Sequence, residues 1–121
     1  MVKEQGRKAA RIPFDTDVEE YFSKNEAYGL KALNLSEHGL GLIADRTFRR
    51  SHATYAWLEF FLPTGQRVRA LGERVYEQGH SDDEMRYGYR FKYIAPRERQ
   101  ELKNFLFVRA AELEVLSATI H

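Results

Sequence analysis

Residues 53–76 read ATYAWLEFFLPTGQRVRALGERVY, two β-rich runs around one tight-turn signal. Aromatic and β-branched residues such as Tyr55, Trp57, Phe60, Phe61, Val68 and Val75 suit the pleated, half-buried surface of a strand. Pro63-Thr64-Gly65 divides the runs, because proline presets a turn-compatible φ and glycine accepts a positive one. The expectation is a hairpin of Ala53–Leu62 with Arg67–Tyr76, in which Trp57, Phe60 and Phe61 build core.

The same pattern continues outward. Thr16–Phe22, Tyr28–Leu35, Gly39–Ala44 and Arg86–Ile94 are further candidate strands, separated by the turn-type clusters SKNE, SEHG and GHSDDE. Six short antiparallel strands favour a barrel or strongly curled sheet, since closure removes reactive edges. After Pro96 the period changes. Leu102, Phe105, Leu106, Leu113 and Leu116 recur at helical spacing, Pro96 suits a first turn, and Glu98 and Glu101 suit the positive helix end. One amphipathic helix, about 96–117, is expected to lay its apolar stripe on the barrel. It is longer than one barrel end requires, which leaves two readings: a long lid, or a surface for dimerisation or a partner.

The chain has 121 residues, room for one ordinary domain, with 43% hydrophobic and 31% charged residues. It has no cysteine, which excludes disulfides, thiolate metal sites and cysteine nucleophiles. Nineteen basic residues against eighteen acidic give a net charge of +1, so the chain as a whole is no polyanion binder. No run approaches the ~18 apolar residues of a membrane span, and the N-terminus lacks an apolar signal core. A soluble cytoplasmic protein is the expectation.

Positive charge is concentrated at the start. Lys3, Arg7, Lys8 and Arg11 face Glu4 alone, and Pro13 closes this arm. In an extended chain Arg7 and Arg11 share a face roughly 13 Å apart. A guanidinium grips phosphate through two N–H donors and stacks on an aromatic base. The second constellation is Asn34-Leu35-Ser36-Glu37-His38-Gly39. It reads either as a turn in which Asn34 and Ser36 bond their own backbone, or as short polar groups beside a glycine that lets a ligand approach closely.

Taken together, Arg7-x-x-x-Arg11 followed by Ile12-Pro13, and Asn34-x-Ser36-x-x-Gly39 after one hairpin, resemble the PilZ domain. Tyr87-Gly88-Tyr89-Arg90-Phe91 and the helix opening PRERQELKNFL extend the likeness over about residues 7–106. The resemblance implies a mainly β fold, a six-stranded antiparallel PilZ-type β-barrel with a C-terminal helix. It divides the chain into a basic arm, residues 1–13, and a barrel with its helix, residues 14–121. It also implies a receptor for cyclic di-GMP with no other cofactor. By motif position Arg7, Lys8 and Arg11 would grip phosphate and guanine, and Asn34, Ser36 and Gly39 would line the nucleotide on the barrel. Lys8 stands where the family often has arginine, and carries charge without the planar fork. Binding would order the arm over the barrel and alter a surface that a downstream protein reads.

The rival readings are a nucleotide-independent PilZ-like interaction module, which the long helix motivates, and a barrel for single-stranded nucleic acid. The balanced charge argues against DNA or RNA. A homodimer through the C-terminal helix is one of the partner readings; membrane insertion is not expected. No reaction can be assembled from these residues, so the expectation is a non-enzyme. His38, His52, His80 and His121 lack metal-ligand spacing, Asp82-Asp83-Glu84 lacks the pattern of a calcium loop and reads as solvated loop, and Arg46, Arg49 and Arg50 form a second basic cluster.

Overall fold

The computed structural model describes residues 11–23, 26–45, 54–79 and 81–120. Among them lie β1 (Ile12–Pro13), β2 (Asp17–Ser23), β3 (Glu26–Leu35), β4 (Gly39–Asp45), β5 (Tyr55–Phe61), β6 (Arg67–Gly79), β7 (Glu84–Ile94) and α1 (Pro96–Ile120). Every strand pairing is antiparallel. Six strands close on themselves in the order β2, β5, β6, β7, β4, β3, with β3 pairing back to β2. The mainly β barrel with one C-terminal helix is therefore the observed fold.

β1 adds no stave to the barrel. It lies along β3 through Ile12↔Leu35 and Pro13↔Asn34, where β2 has already run out. Pro13 has no N–H for a ladder, so the line breaks there. The break is bridged on both sides. Phe14 N–H donates to the Leu33 carbonyl at 3.1 Å, and Ala32 N–H donates to the Thr16 carbonyl at 2.9 Å. β1 and β2 thus form one interrupted strand that carries the chain away from Arg11.

The 53–76 hairpin forms where it was expected. Gly65 has φ +95°, and its N–H donates to the Leu62 carbonyl at 2.8 Å. The strand period then sorts the aromatics. Ala56, Leu58 and Phe60 point inward, whereas Tyr55, Trp57 and Phe61 alternate outward. Only Phe60 of the three expected core aromatics is core; Trp57 and Phe61 are 39% and 54% exposed. Trp57 is partly covered by the Arg69 guanidinium, 5.7 Å from the ring centre. The β6–β7 hairpin is longer than the sequence suggested, reaching Gly79 and restarting at Glu84, so Glu84 belongs to a strand rather than a loop.

Phe14, just after β1, plugs one end of the barrel edge-on against Phe60 and Phe105, both at 5.9 Å between ring centres. Leu102 is fully buried beside them, and Phe105 and Leu106 pack on the same core. The start of α1 is pinned too. The Glu98 carboxylate accepts the Arg69 N–H at 2.7 Å, one residue beyond the last β6–β7 partners, Ala70 and Ile94. An otherwise unpaired strand donor is met, and the acid sits in the first helical turn.

The apolar stripe does not lie on the barrel along the whole helix, as the sequence suggested. Packing ends at Leu106; Phe107, Val108, Val115 and Leu116 are exposed. The 25-residue helix is about 37 Å long, and about 20 Å of it follows Leu106. Among the described residues no helix is long and apolar enough to cross a membrane.

Candidate functional site

On β4, Leu40, Leu42 and Ala44 fill the barrel, so Gly39 and Gly41 face outward. Their bareness is required by their neighbours. A Cβ on Gly39 would lie 2.4 Å from the Tyr89 carbonyl oxygen and 3.4 Å from Arg11 Nη2. A Cβ on Gly41 would lie 2.7 Å from Asn34 Oδ1. Opposite Gly41 on β7 is Gly88, where a Cβ would run into the Tyr76 ring. β4 and β7 therefore form a shallow shelf of side-chain-free backbone, closely covered by its neighbours, with Asn34 on one side and the Tyr76 ring on the other.

Arg11 reaches onto this shelf from just before β1. Its Nη1 donates to Asn34 Oδ1 at 2.7 Å. Because β1 pairs with the end of β3, Pro13 lies directly beside Asn34, and Arg11 is delivered to the same corner. The guanidinium stays exposed. Its remaining donors, the Asn34 amide and the bare backbone together suit a flat ligand carrying negative charge.

Ser36 plays a different part. It is 2% exposed, and its hydroxyl oxygen accepts the His38 and Gly39 N–H groups at 3.2 and 3.1 Å. Ser36 N–H in turn donates to the Gly39 carbonyl at 2.9 Å, while the His38 carbonyl accepts Phe91 N–H at 2.8 Å. The hydroxyl thus folds the 36–39 turn and sets the height of Gly39. Glu37 points to the helix, within 4.0 Å of Arg99 and 3.9 Å of Lys103, which ties the turn to α1.

Beneath the shelf the barrel holds a buried polar group. Glu20 is fully buried, and its carboxylate accepts the Tyr89 hydroxyl proton. The Arg74 guanidinium lies 4.0 Å from that carboxylate and over the rings of Tyr87 and Tyr89, at 5.6 and 5.9 Å. Burial first, and then the nearby Glu20 charge, push the Tyr89 phenol up to about 12. Tyr89 thus joins the interior network to the carbonyl under Gly39.

Of the residues singled out in the sequence, Arg11, Asn34, Ser36 and Gly39 converge at one corner. Arg7, Lys8 and the Arg46, Arg49, Arg50 cluster lie outside the described residues, as do His52, His80 and His121. Sequence reasoning missed Gly41 and Tyr76, and it named Gly88 only within the family-like strand Tyr87–Phe91, not as a site residue; the three meet through strand register. The visible signals were that strand and the glycine alternation Gly39-Leu40-Gly41. Among the described residues no cluster of three or more His, Asp or Glu side chains is placed to hold a metal ion.

Comparison with known proteins agrees with this geometry. No curated protein sequence matches the chain significantly. Among solved structures, the Bacillus subtilis inhibitor of motility MotI/DgrA is similar at TM-score 0.75 and 14% identity, over 88% of this chain and 52% of that one. Escherichia coli YcgR in complex with c-di-GMP gives TM-score 0.73 at 14% identity, over 95% and 50%. The isolated PilZ domain of YcgR with c-di-GMP gives 0.71 at 12% identity, over 93% and 97%. The chain thus spans about half the length of the first two, and at such identities the likeness is one of fold. The sequence itself supplies the family, since the PilZ domain model matches residues 5–108. With that match spanning arm, barrel and the packed half of the helix, the chain belongs to the PilZ domain family.

Proposed function

We propose that this protein is a receptor for cyclic di-GMP that passes the signal on without catalysing a reaction. The single observation that carries the reading is the Arg11–Asn34 contact beside Gly39, because it joins the two ligand motifs of the family at one corner. The similar YcgR structures contain c-di-GMP, which supports the choice of ligand. In this reading Arg7, Lys8 and Arg11 hold the phosphates and a guanine, while Asn34 and Gly39 receive the nucleotide on the shelf. Ser36 acts by shaping the turn. Ligand orders the arm, residues 1–13, across the barrel, and a downstream protein reads the changed charge.

Isothermal titration with cyclic di-GMP tests this. A saturable heat is expected from the intact chain, and its loss in the double variant Arg7→Ala, Arg11→Ala. No heat at high micromolar ligand, or undiminished binding by the variant, overturns it.

A further inference from the structure

We infer that Arg90 is a second guanidinium of the nucleotide shelf, held in reserve by Glu73 and passed to a phosphate of the ligand that lies beside Gly39. The inference rests on the cyclic di-GMP reading and adds to it a contact from β7, which neither ligand motif contains.

Strand register puts Arg90 there. Along β7 Tyr87, Tyr89 and Phe91 fill the barrel, so Arg86, Gly88 and Arg90 face outward. Gly88 stands opposite Gly41, and Arg90 stands opposite Gly39. Directly opposed residues of an antiparallel pair are about 4.5–5.5 Å apart and project to the same face. An extended arginine spans more than that, and Gly39 has no side chain to obstruct it. Arg11 comes to the same glycine from the other side. Its Nη2 lies 3.4 Å from where a Cβ on Gly39 would stand. One bare residue thus lies between two arginines, one delivered by the arm and one by the barrel itself.

Glu73 on β6 is the neighbour of Arg90 on the side away from Gly39. Arg90 Nη2 donates to Glu73 Oε1 at 2.8 Å, and Lys92 Nζ lies 3.9 Å from the same oxygen. The carboxylate therefore draws the guanidinium towards β6. The tie is a replaceable one. The Arg90 side chain is 59% exposed, and an ion pair so open to water contributes little to stability. Its release strands no acid, because Lys92 remains beside Glu73. A phosphate beside Gly39 offers two oxygens to the planar fork, of which Glu73 engages one nitrogen. Arg90 exchanges one anion for another, and the site gains its second guanidinium at no cost in unpaired charge.

Isothermal titration of the full chain with cyclic di-GMP tests this in four forms. Arg90→Gln should bind roughly tenfold more weakly than wild type, the loss of one charge-assisted hydrogen bond, and should melt close to wild type. Glu73→Gln keeps an acceptor for Arg90 without the competing charge, and should bind about threefold more tightly. Arg67→Gln is the matched control. It removes the same charge and breaks a similar ion pair, Arg67 to Glu59 at 3.3 Å, on β6 and β5 away from the shelf, and should bind as wild type. When wild type binds, undiminished affinity in Arg90→Gln overturns the inference and leaves the receptor reading standing. So does an equal loss in Arg67→Gln, which makes the effect one of net charge, and so does a Glu73→Gln that binds no tighter. A wild type that gives no heat removes the receptor reading and this inference with it.

Discussion

The Gly39 backbone lies so close to that of Tyr89 that a methyl group on it would stand 2.4 Å from the Tyr89 carbonyl oxygen. A backbone oxygen cannot swing aside as a side-chain tip does. Gly39→Ala should therefore shift β4 against β7 and cost about 1–3 kcal/mol, lowering the melting temperature by several degrees. Ligand binding should weaken with it, because the shift moves the platform under Arg11. Calorimetric melting and nucleotide titration of the same variant check both effects. An unshifted melt would mean that the two strands can separate at no cost.

Asn34→Ala removes the acceptor that fixes the Arg11 guanidinium while leaving the barrel intact. Loss of one charge-assisted hydrogen bond, worth about 1.5 kcal/mol, should weaken cyclic di-GMP binding roughly tenfold. Gly41→Ala offers an independent route to the same end. Its methyl would press on Asn34 Oδ1, the tip of a movable side chain, so binding should fall while stability changes by less than about 1 kcal/mol. If Gly41→Ala binds as well as wild type, Asn34 has tolerated displacement and its position matters less than stated.

Tyr76 covers Gly88 and walls the shelf opposite Asn34. Should a guanine base lie on the shelf, Tyr76→Ala removes an aromatic surface worth about 1–3 kcal/mol of stacking. Tyr76→Phe keeps the ring and should bind as wild type. The comparison of the two affinities decides whether the ring touches ligand, since both variants lose the hydroxyl.

Alkaline pH should act through Tyr89. Its folded-state value of about 12 lies above the ordinary 10, so the fold favours the protonated phenol. The associated stability is present in full below pH 10 and is lost as pH rises from 10 towards 12, by an amount on the order of 2–3 kcal/mol. Tyr89→Phe should show a flatter fall over that window. At neutral pH the same variant should be less stable by about 1–3 kcal/mol, because a donor to the buried Glu20 carboxylate is gone. Denaturant melts across pH test both halves of the statement.

The barrel was legible because strand alternation and turn chemistry are local. Leu40 and Leu42, or Leu58 and Phe60, announce an inner face from spacing alone, and Pro63-Thr64-Gly65 announces its turn. Which aromatic lies inside was harder. Phe60 and Phe61 look alike in sequence, and only the strand phase separates a core ring from an exposed one. The helix misled for a related reason: hydrophobic spacing shows that a stripe exists, but not where the barrel beneath it ends.

The site divides along the same line. Asn34, Ser36 and Gly39 sit within six residues and carry a readable pattern. Gly41, Gly88 and Tyr76 come from three strands and share a corner only through register, which no local pattern encodes. Ser36 shows the limit in the other direction. A hydroxyl in the right motif position turned out to be facing its own turn, as plain turn chemistry also suggested.

The interrupted strand formed by β1 and β2 has one more consequence. By clamping Ile12 and Pro13 to the end of β3, it makes Arg11 the fixed end of a tether. Arg7, four peptide units away, can stray no more than about 14 Å from it. Confinement to so small a volume corresponds to an effective concentration in the millimolar range or above. In the proposed receptor, the second arginine would meet a nucleotide already held by the first as an intramolecular event, whatever the abundance of the protein. Severed from the barrel and supplied as a free peptide, the same residues would have to be present at millimolar levels to do as much.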